Sequence, residues 1–265
     1  MAVISPAALA ACASGSSEPA VRTAAQAAQP TTAPTTAPAI DPTNVPATEP
    51  TTAPAATSTP TASSSDSSEL EPVTWARANL GFVSAYVLAR GNTAAIVDTG
   101  VTGSARAIGE TLATLGLNYS DVGHVILTHN HGDHAGSISE VLALAVNATA
   151  YAGEADLGPL PADLSGLRGG EDIFGFEMLA TPGHTAGHMA VIDHQAGLLV
   201  AGDAIFSDDD GAAVEGPERF FADVPQSRDS IKAMAALTFN TLLVGHGAPI
   251  EDGADAAVAA LAATL

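Results

Sequence analysis

The sequence is short of cysteine and of basic residues, and it has no long apolar run. Its single cysteine, Cys12, excludes an intrachain disulfide framework. Only 8 lysines and arginines accompany 29 acidic residues, which gives a net charge of −21. Such a surface repels phosphate backbones, so we expect no nucleic-acid partner, and solubility is a sufficient reason for the charge. No apolar stretch is long enough to span a bilayer as a helix.

Composition divides the chain into three parts. Residues 13–70 are mainly Thr, Pro, Ala and Ser, with almost no large apolar side chain. Because such a segment cannot bury enough apolar surface to offset its ordering entropy, the composition predicts a disordered tether. Residues 71–265 are enough for one domain with its own core.

Residues 1–12 end in Leu9-Ala10-Ala11-Cys12, which resembles the lipobox of bacterial lipoproteins. This resemblance predicts a signal segment and a lipid anchor on Cys12. The domain would then lie outside the cytoplasm, held at the membrane through the tether. No lysine or arginine precedes Arg22, and the apolar stretch is short. An unprocessed, cytoplasmic protein is therefore the alternative.

The most informative segment is Thr128-His129-Asn130-His131-Gly132-Asp133-His134-Ala135-Gly136, which follows an apolar run. Two imidazoles two residues apart in a loop can bind one metal ion. Asp133 and His134 point to a different place and suit a second ion. Nitrogen and carboxylate donors are typical of zinc, with manganese or iron as alternatives. A solvated polar turn is the other interpretation, but such a turn has no need of three histidines.

This segment resembles the T-H-x-H-x-D-H-x-G signature of the metallo-β-lactamase fold superfamily. The family pattern also requires a distant histidine, an aspartate and a last histidine, each closing a strand. His184, Asp203 and His246 stand at such places. The resemblance covers residues 73–265 and implies an α+β fold, a four-layer αββα sandwich with a small-molecule pocket.

The resemblance also implies a ligand set and a mechanism. One ion would be bound by His129, His131 and His184, the other by Asp133, His134 and His246, with Asp203 bridging them. Two divalent metal ions, Zn²⁺ first and Mn²⁺ or Fe²⁺ as alternatives, would generate a bridging hydroxide that Asp133 orients. Asp98 resembles a family aspartate that orients a ligand imidazole, although an ordinary turn residue is the alternative. His188 resembles a residue the family often keeps, and we interpret it as a supporting or structural residue.

The substrate class is narrowed by the segment Gly202-Asp203-Ala204-Ile205-Phe206, which matches the G-D-x-x-F of glyoxalase II-like enzymes. The bridging aspartate argues against typical lactamases. The family's glutathione-binding basic residues have no clear counterpart, and Arg219 is the nearest cation. Lactonases usually place a tyrosine where Phe206 stands. We therefore expect hydrolysis of a thioester, ester or lactone, with apolar side chains between Phe206 and Phe221 over the metals. The alternatives are a β-lactam hydrolase and a non-catalytic, metal-stabilised binding domain.

Periodicity and turn residues predict the secondary structure. The predicted strands are Val73–Arg77, Phe82–Leu88, Thr93–Val97, His124–Thr128, Ala148–Tyr151, Ile173–Ala180, Met189–Asp193, Leu198–Gly202 and Thr241–Gly245. The predicted helices run from a Thr102 or Ser104 cap to Leu115, and over Ser137–Leu144, Val224–Leu237 and Asp252–Leu265. Asp223 is the expected N-cap of the third helix. His124 is placed before its strand and matches no ligand position, so we interpret it as structural.

Overall fold

A computed structural model describes residues 70–265. The predicted signal segment with Cys12 lies outside these residues, as does the predicted tether over 13–70 apart from Leu70. No helix within the described residues is both long and apolar enough to cross a membrane.

The chain alternates short strands with five helices over its described length. The strands are β1 (Val73–Asn79), β2 (Ser84–Arg90), β3 (Thr93–Val97), β4 (Val122–Ile126), β5 (Thr149–Gly153), β6 (Ser165–Leu167), β7 (Asp172–Ile173), β8 (Phe176–Ala180), β9 (Met189–Asp193), β10 (Leu198–Gly202), β11 (Phe206–Ser207), β12 (Ala213–Val214) and β13 (Thr241–Val244). The helices are α1 (Ala105–Thr114), α2 (Gly132–Ala135), α3 (Ile138–Leu144), α4 (Val224–Met234) and α5 (Ala254–Ala262). Single 3-10 turns lie at Tyr119–Asp121, Glu154–Asp156 and Glu218–Phe220.

Two sheets pack against each other and carry the helices on their outer faces. The first sheet has the strand order β1-β2-β3-β4-β5-β6, and the second has β13-β10-β9-β8-β7. One apolar cluster joins the two sheets, with Tyr86 and Val97 from the first and Met178 from the second. Two further clusters pack α1 and α3 on the first sheet, and α4 and α5 on the second. This layer order confirms the predicted αββα sandwich.

The central strands are almost entirely apolar because both of their faces are covered. Every residue of β2, β9 and β10 is buried. Such strands show continuous apolar runs rather than strict alternation. The bounds of Thr93–Val97, Met189–Asp193 and Leu198–Gly202 are as predicted.

The expected N-terminal cap is present at α4 but not at α1. Asp223 accepts a hydrogen bond from the Gln226 N–H at 3.0 Å, which confirms it as the N-cap of α4. Ser104 precedes α1, but its side chain makes no capping hydrogen bond. Its own N–H donates to Ser137 Oγ at 2.8 Å, which ties the start of α1 to the start of α3.

Two local predictions were wrong. The single strand predicted over Ile173–Ala180 is a hairpin, β7 and β8, whose turn residues Phe174 and Gly175 have φ values of 62° and 78°. Both values are positive, as in the tight turns that suit the twist of a hairpin, but Phe-Gly is not a usual signal for one. His124 lies in the middle of β4 rather than before it, where it packs between Tyr151 and Phe174.

Parallel pairing brings several strand ends to one edge of the sandwich. β3 pairs with β4, and β10 pairs with β13, in both cases in parallel. Asp98 follows β3, Asp203 follows β10, and His246 comes two residues after β13. Since the carboxyl ends of parallel strands meet at the same edge, these side chains lie near one another.

Candidate metal centre

Seven side chains converge at this edge, and they are the seven that the family resemblance implies. Their ligand atoms form three overlapping groups in which all atoms lie within 4.8 Å of one another. The groups are His129, His131 and His184; His129, His134 and Asp203; and Asp133, His134 and His246.

The first group is a cluster of three imidazoles. His184 Nε2 lies 2.9 Å from His131 Nδ1. The His129 ring meets the His184 ring edge-on, with centroids 4.6 Å apart. His129 and His184 are buried, so these nitrogens face one another rather than solvent.

The group of Asp133, His134 and His246 combines a carboxylate with two imidazoles. Asp133 Oδ2 lies 3.4 Å from His246 Nε2 and 3.9 Å from His134 Nε2. Asp133 stands in the first turn of α2, and its carboxylate faces His246.

Asp203 lies between the group of His129, His131 and His184 and the group of Asp133, His134 and His246. Its Oδ2 is 3.4 Å from His184 Nε2 and 3.2 Å from His246 Nε2, while its Oδ1 is 3.1 Å from His134 Nε2. Gly245 leaves room for this carboxylate, because a Cβ at that position would overlap Asp203 and lie 2.6 Å from His134 Cε1. Only glycine fits there without displacing a ligand.

Hydrogen bonds at Nδ1, on the side away from the cluster, fix the orientation of two of the candidate ligand imidazoles. His134 Nδ1–H donates to Asp98 Oδ2 at 2.8 Å, and His246 Nδ1–H donates to the Phe82 carbonyl at 2.7 Å. Each bond leaves Nε2 directed into the cluster, which is the usual arrangement for metal-binding histidines. Asp98 is itself held by the Thr128 N–H and hydroxyl and has a left-handed φ of 63°. The structure therefore places Asp98 behind His134.

The charges of the cluster favour a cation. Burial lowers the pKa of His129 well below its usual value and that of His184 to about 4, so both rings are neutral. Burial also opposes charge on His134 and His246, but the neighbouring carboxylates outweigh it. The pKa of His134 lies well above its usual value, and that of His246 is raised to about 10. A divalent cation would supply the positive charge that these carboxylates stabilise.

Three ligand atoms fit a bound metal directly. His129 Nε2, His134 Nε2 and Asp203 Oδ1 are buried and have no hydrogen-bond partner among residues 70–265. His134 Nε2 and Asp203 Oδ1 are close, but not in hydrogen-bonding geometry. A buried polar atom without a partner costs about 1–3 kcal/mol. Because imidazole nitrogen and carboxylate oxygen are donors for divalent transition metals, these residues fit such an ion.

His188 supports Asp203 and does not join the ligands. Its Nε2 accepts a hydrogen bond from the Asp203 N–H at 3.2 Å, and its Nδ1 lies 2.8 Å from Thr181 Oγ1. Burial lowers the pKa of His188 to about 3, so the ring is neutral and Nδ1–H donates to Thr181. This contact agrees with its interpretation as a supporting residue.

Asp156 is a buried carboxylate that the sequence analysis missed. It accepts hydrogen bonds from Thr185 Oγ1 at 2.6 Å, from the Gly187 N–H at 2.8 Å and from the Asn130 N–H at 3.2 Å. Asp156 thereby joins the loop of His129 and His131 to the loop of His184. Its partners lie 26 to 31 residues away in sequence, so no local pattern could have revealed it.

A cavity of about 590 Å³ opens over the cluster. Its lining combines ligand side chains with Pro217 and three aromatic rings, those of Phe82, Phe206 and Phe220. The expected apolar cover from the segment Phe206–Phe221 is present, whereas Phe82 comes from the turn between β1 and β2 and was missed.

The family model for the Metallo-beta-lactamase superfamily matches residues 78–246. The chain belongs to this superfamily. It is a metallohydrolase of the metallo-β-lactamase fold, and the groups of histidine and aspartate described above are its candidate metal ligands.

Individual superfamily members show how far the likeness extends. The chain is 34% identical over 141 residues to a hydroxyacylglutathione hydrolase of Synechococcus sp. (strain JA-3-3Ab), a match that covers 51% of this chain and 54% of that enzyme. The chain therefore spans about half the length of that curated relative.

Solved structures of the superfamily share the fold. A metallo-beta-lactamase family protein from Thermus thermophilus, TTHA1429, has a TM-score of 0.56 and 26% identity, covering 69% of this chain and 74% of that one. TTHA1623, solved in a di-iron-bound form, has a TM-score of 0.53 and 25% identity, covering 66% and 92%.

Proposed function

We propose that this superfamily member is a binuclear hydrolase of small carbonyl substrates, namely thioesters, esters or lactones. The proposal rests on Asp203, whose carboxylate lies within 3.4 Å of His184 Nε2 in one group and of His246 Nε2 in the other. A carboxylate in that position can bridge two ions. The di-iron-bound form of the similar TTHA1623 supports a two-ion site. We propose zinc here from the donor set, with iron or manganese as the alternatives to measure.

When bound, two divalent ions lower the pKa of a water molecule toward neutrality and polarise a substrate carbonyl. The residues of the chain position the reactants. The Asp133 side chain is 28% exposed and lines the cavity, so its carboxylate can accept a hydrogen bond from the attacking water. Asp98 and the Phe82 carbonyl keep the imidazoles of His134 and His246 in place while the substrate enters.

The substrate class follows from what the cavity lacks. Among the described residues, no lysine or arginine lines it, and Phe206 stands where a phenol could otherwise donate to the oxyanion. This favours activated carbonyls whose leaving group needs little protonation, such as thioesters, aryl esters and strained lactones. An amide nitrogen must be protonated as it leaves, so β-lactams are less suited. The likeness to a hydroxyacylglutathione hydrolase points to thioesters in the same way.

Steady-state kinetics on one thioester, one lactone, one cephalosporin and one phosphodiester tests the reaction class. We expect thioester or ester hydrolysis to exceed cephalosporin hydrolysis in kcat/KM by at least about tenfold, equivalent to ~1.4 kcal/mol. Faster turnover of the cephalosporin or the phosphodiester would overturn the proposal. Metal analysis of the purified protein should find about two ions per chain, and fewer than about one would contradict the binuclear site.

Asp133→Asn tests the proposed role of the carboxylate. We expect kcat to fall by about two orders of magnitude, because the amide holds the attacking water poorly. Asp209→Asn, in the exposed loop after β11, is the matched control and should retain full activity. If Asp133→Asn hydrolyses the thioester as fast as the parent, the assignment fails.

A further inference from the structure

The cavity is aromatic on the side of His246. The Phe206 ring stacks on the His246 imidazole with centroids 5.1 Å apart and planes at 10°, and the Phe82 ring does so at 6.0 Å and 14°. Phe82 and Phe220 are 65% and 51% exposed, although large apolar side chains are otherwise mostly buried here. Exposed aromatic rings gathered at one cavity indicate a binding surface for an apolar group.

Neighbouring contacts support the aromatic surface, which consists of Phe82, Phe206 and Phe220. Gly216 passes so close to Phe206 that a Cβ there would overlap the ring, so the ring packs directly against the backbone of that segment. Arg228 binds both carboxylate oxygens of Glu215, at 2.8 and 2.9 Å, and it also contacts Glu218 at 2.8 Å. These bonds anchor to α4 the segment that carries Phe220. A preformed surface lowers the entropic cost of ligand binding.

The same cavity has no lysine or arginine in the lining that the structure describes. Its lining, drawn from residues 70–265, contains Asp133 and Asp203 but no lysine or arginine. Arg228 is paired with glutamates, and Arg77 donates to the Gly247 carbonyl. Arg219 lies over the Phe220 ring, with its guanidinium carbon 4.4 Å from the ring centroid. An anionic thiol group would therefore find no lysine or arginine among the described residues of that lining to pair with its carboxylates.

We propose that Phe82, Phe206 and Phe220 bind an apolar, uncharged leaving group, and that glutathione thioesters are poor substrates. The inference rests on the proposed thioester hydrolysis at the cluster, which shares one cavity with the three rings. With the leaving sulfur on the side of His246, the thiol part of the substrate lies against the rings that stack on that imidazole. Glutathione carries two carboxylates and no apolar side chain, so it suits neither the aromatic rings nor a lining that, over the described residues, has no lysine or arginine.

Three acetyl thioesters that differ only in their thiol separate the contribution of apolar contact from that of charge. Benzyl mercaptan is apolar, N-acetylcysteamine is neutral and polar, and glutathione is anionic. We expect kcat/KM of the benzyl thioester to exceed that of the glutathione thioester by at least about tenfold, with N-acetylcysteamine between them. A glutathione thioester that is hydrolysed as fast as the benzyl thioester would overturn the inference. Absence of turnover with all three would instead contradict the proposed function.

Phe220→Ala is the sharpest variant, because Phe220 stacks on no ligand histidine and is half exposed. It should lower kcat/KM for the benzyl thioester by about tenfold and leave the N-acetylcysteamine thioester within about twofold. Leu144→Ala, at an equally exposed leucine on α3, should change neither. Calorimetry with a non-hydrolysable benzyl thioether should show binding that weakens in Phe220→Ala only. An equal loss with all three thioesters, or unchanged thioether binding, would refute the role of the ring.

Discussion

Replacing Asp156 with alanine should destabilise the protein and loosen its metal site together. The carboxylate is buried and joins the loop of His129 and His131 to the loop of His184 through three hydrogen bonds. Asp156→Ala removes both acceptor oxygens and so all three hydrogen bonds at once. The donors are left in place with no substitute acceptor built into the site.

The magnitude follows from the burial of the donors. Thr185 and Gly187 are buried, so each loses an acceptor that water cannot easily replace, at about 1–3 kcal/mol each. Asn130 is partly exposed and makes the longest bond, 3.2 Å, so its N–H can be hydrated at little cost. We expect the free energy of unfolding to fall by about 4 kcal/mol. Asp156→Asn should cost about half as much, because one oxygen remains.

Urea denaturation of the metal-free protein measures the first effect, with Asp163→Ala as the control. Asp163 is an exposed carboxylate nearby in sequence, and its removal should change stability by less than about 0.5 kcal/mol. Chelator competition measures the second effect. Since supporting contacts of this kind change metal affinity by about 10–100-fold, Asp156→Ala should weaken it by at least about tenfold. Stability equal to that of Asp163→Ala, or unchanged metal affinity, would refute the reasoning.

Two further predictions concern parts of the fold away from the metal ligands. Arg90 and Asp193 form a buried ion pair at 2.7 Å, 5% and 1% exposed, that joins the two sheets. Arg90→Met should cost about 3–5 kcal/mol in urea denaturation, and adding Asp193→Asn should recover part of it; a single variant as stable as the parent would contradict this. Burial raises the pKa of Tyr86 from 10.0 to about 12. The contribution of its protonated hydroxyl to the free energy of unfolding is therefore complete below pH 10 and is lost as the pH rises through 12. An absorbance titration of tyrosinate should therefore lose a component near pH 12 in Tyr86→Phe. Loss of a component near pH 10 instead would contradict the raised pKa of Tyr86.

The sequence by itself indicated the fold class and the candidate ligand set, through its resemblance to the superfamily signature. His129, His131, Asp133 and His134 lie within six positions, and the remaining ligands each follow an apolar strand run. Such signals are local, because spacing along one loop decides which side chains can share an ion. The apolar runs at β9 and β10 were equally local, since a strand covered on both faces needs no polar alternation.

Only the tertiary structure decided which distant groups support the site and join the two sheets. The Phe82 carbonyl reaches His246 across 164 residues, Arg90 reaches Asp193 across 103, and Asp156 gathers donors from two separate loops. These contacts depend on the order and direction of strands in the two sheets, which no local period encodes. The seven candidate ligands were predictable because the superfamily signature constrains their residue types and places. Asp98 and His188 were implied in the same way, whereas the Phe82 carbonyl and Asp156 were not, because a hydrogen bond to a carbonyl or a buried carboxylate places no such constraint on the neighbouring sequence.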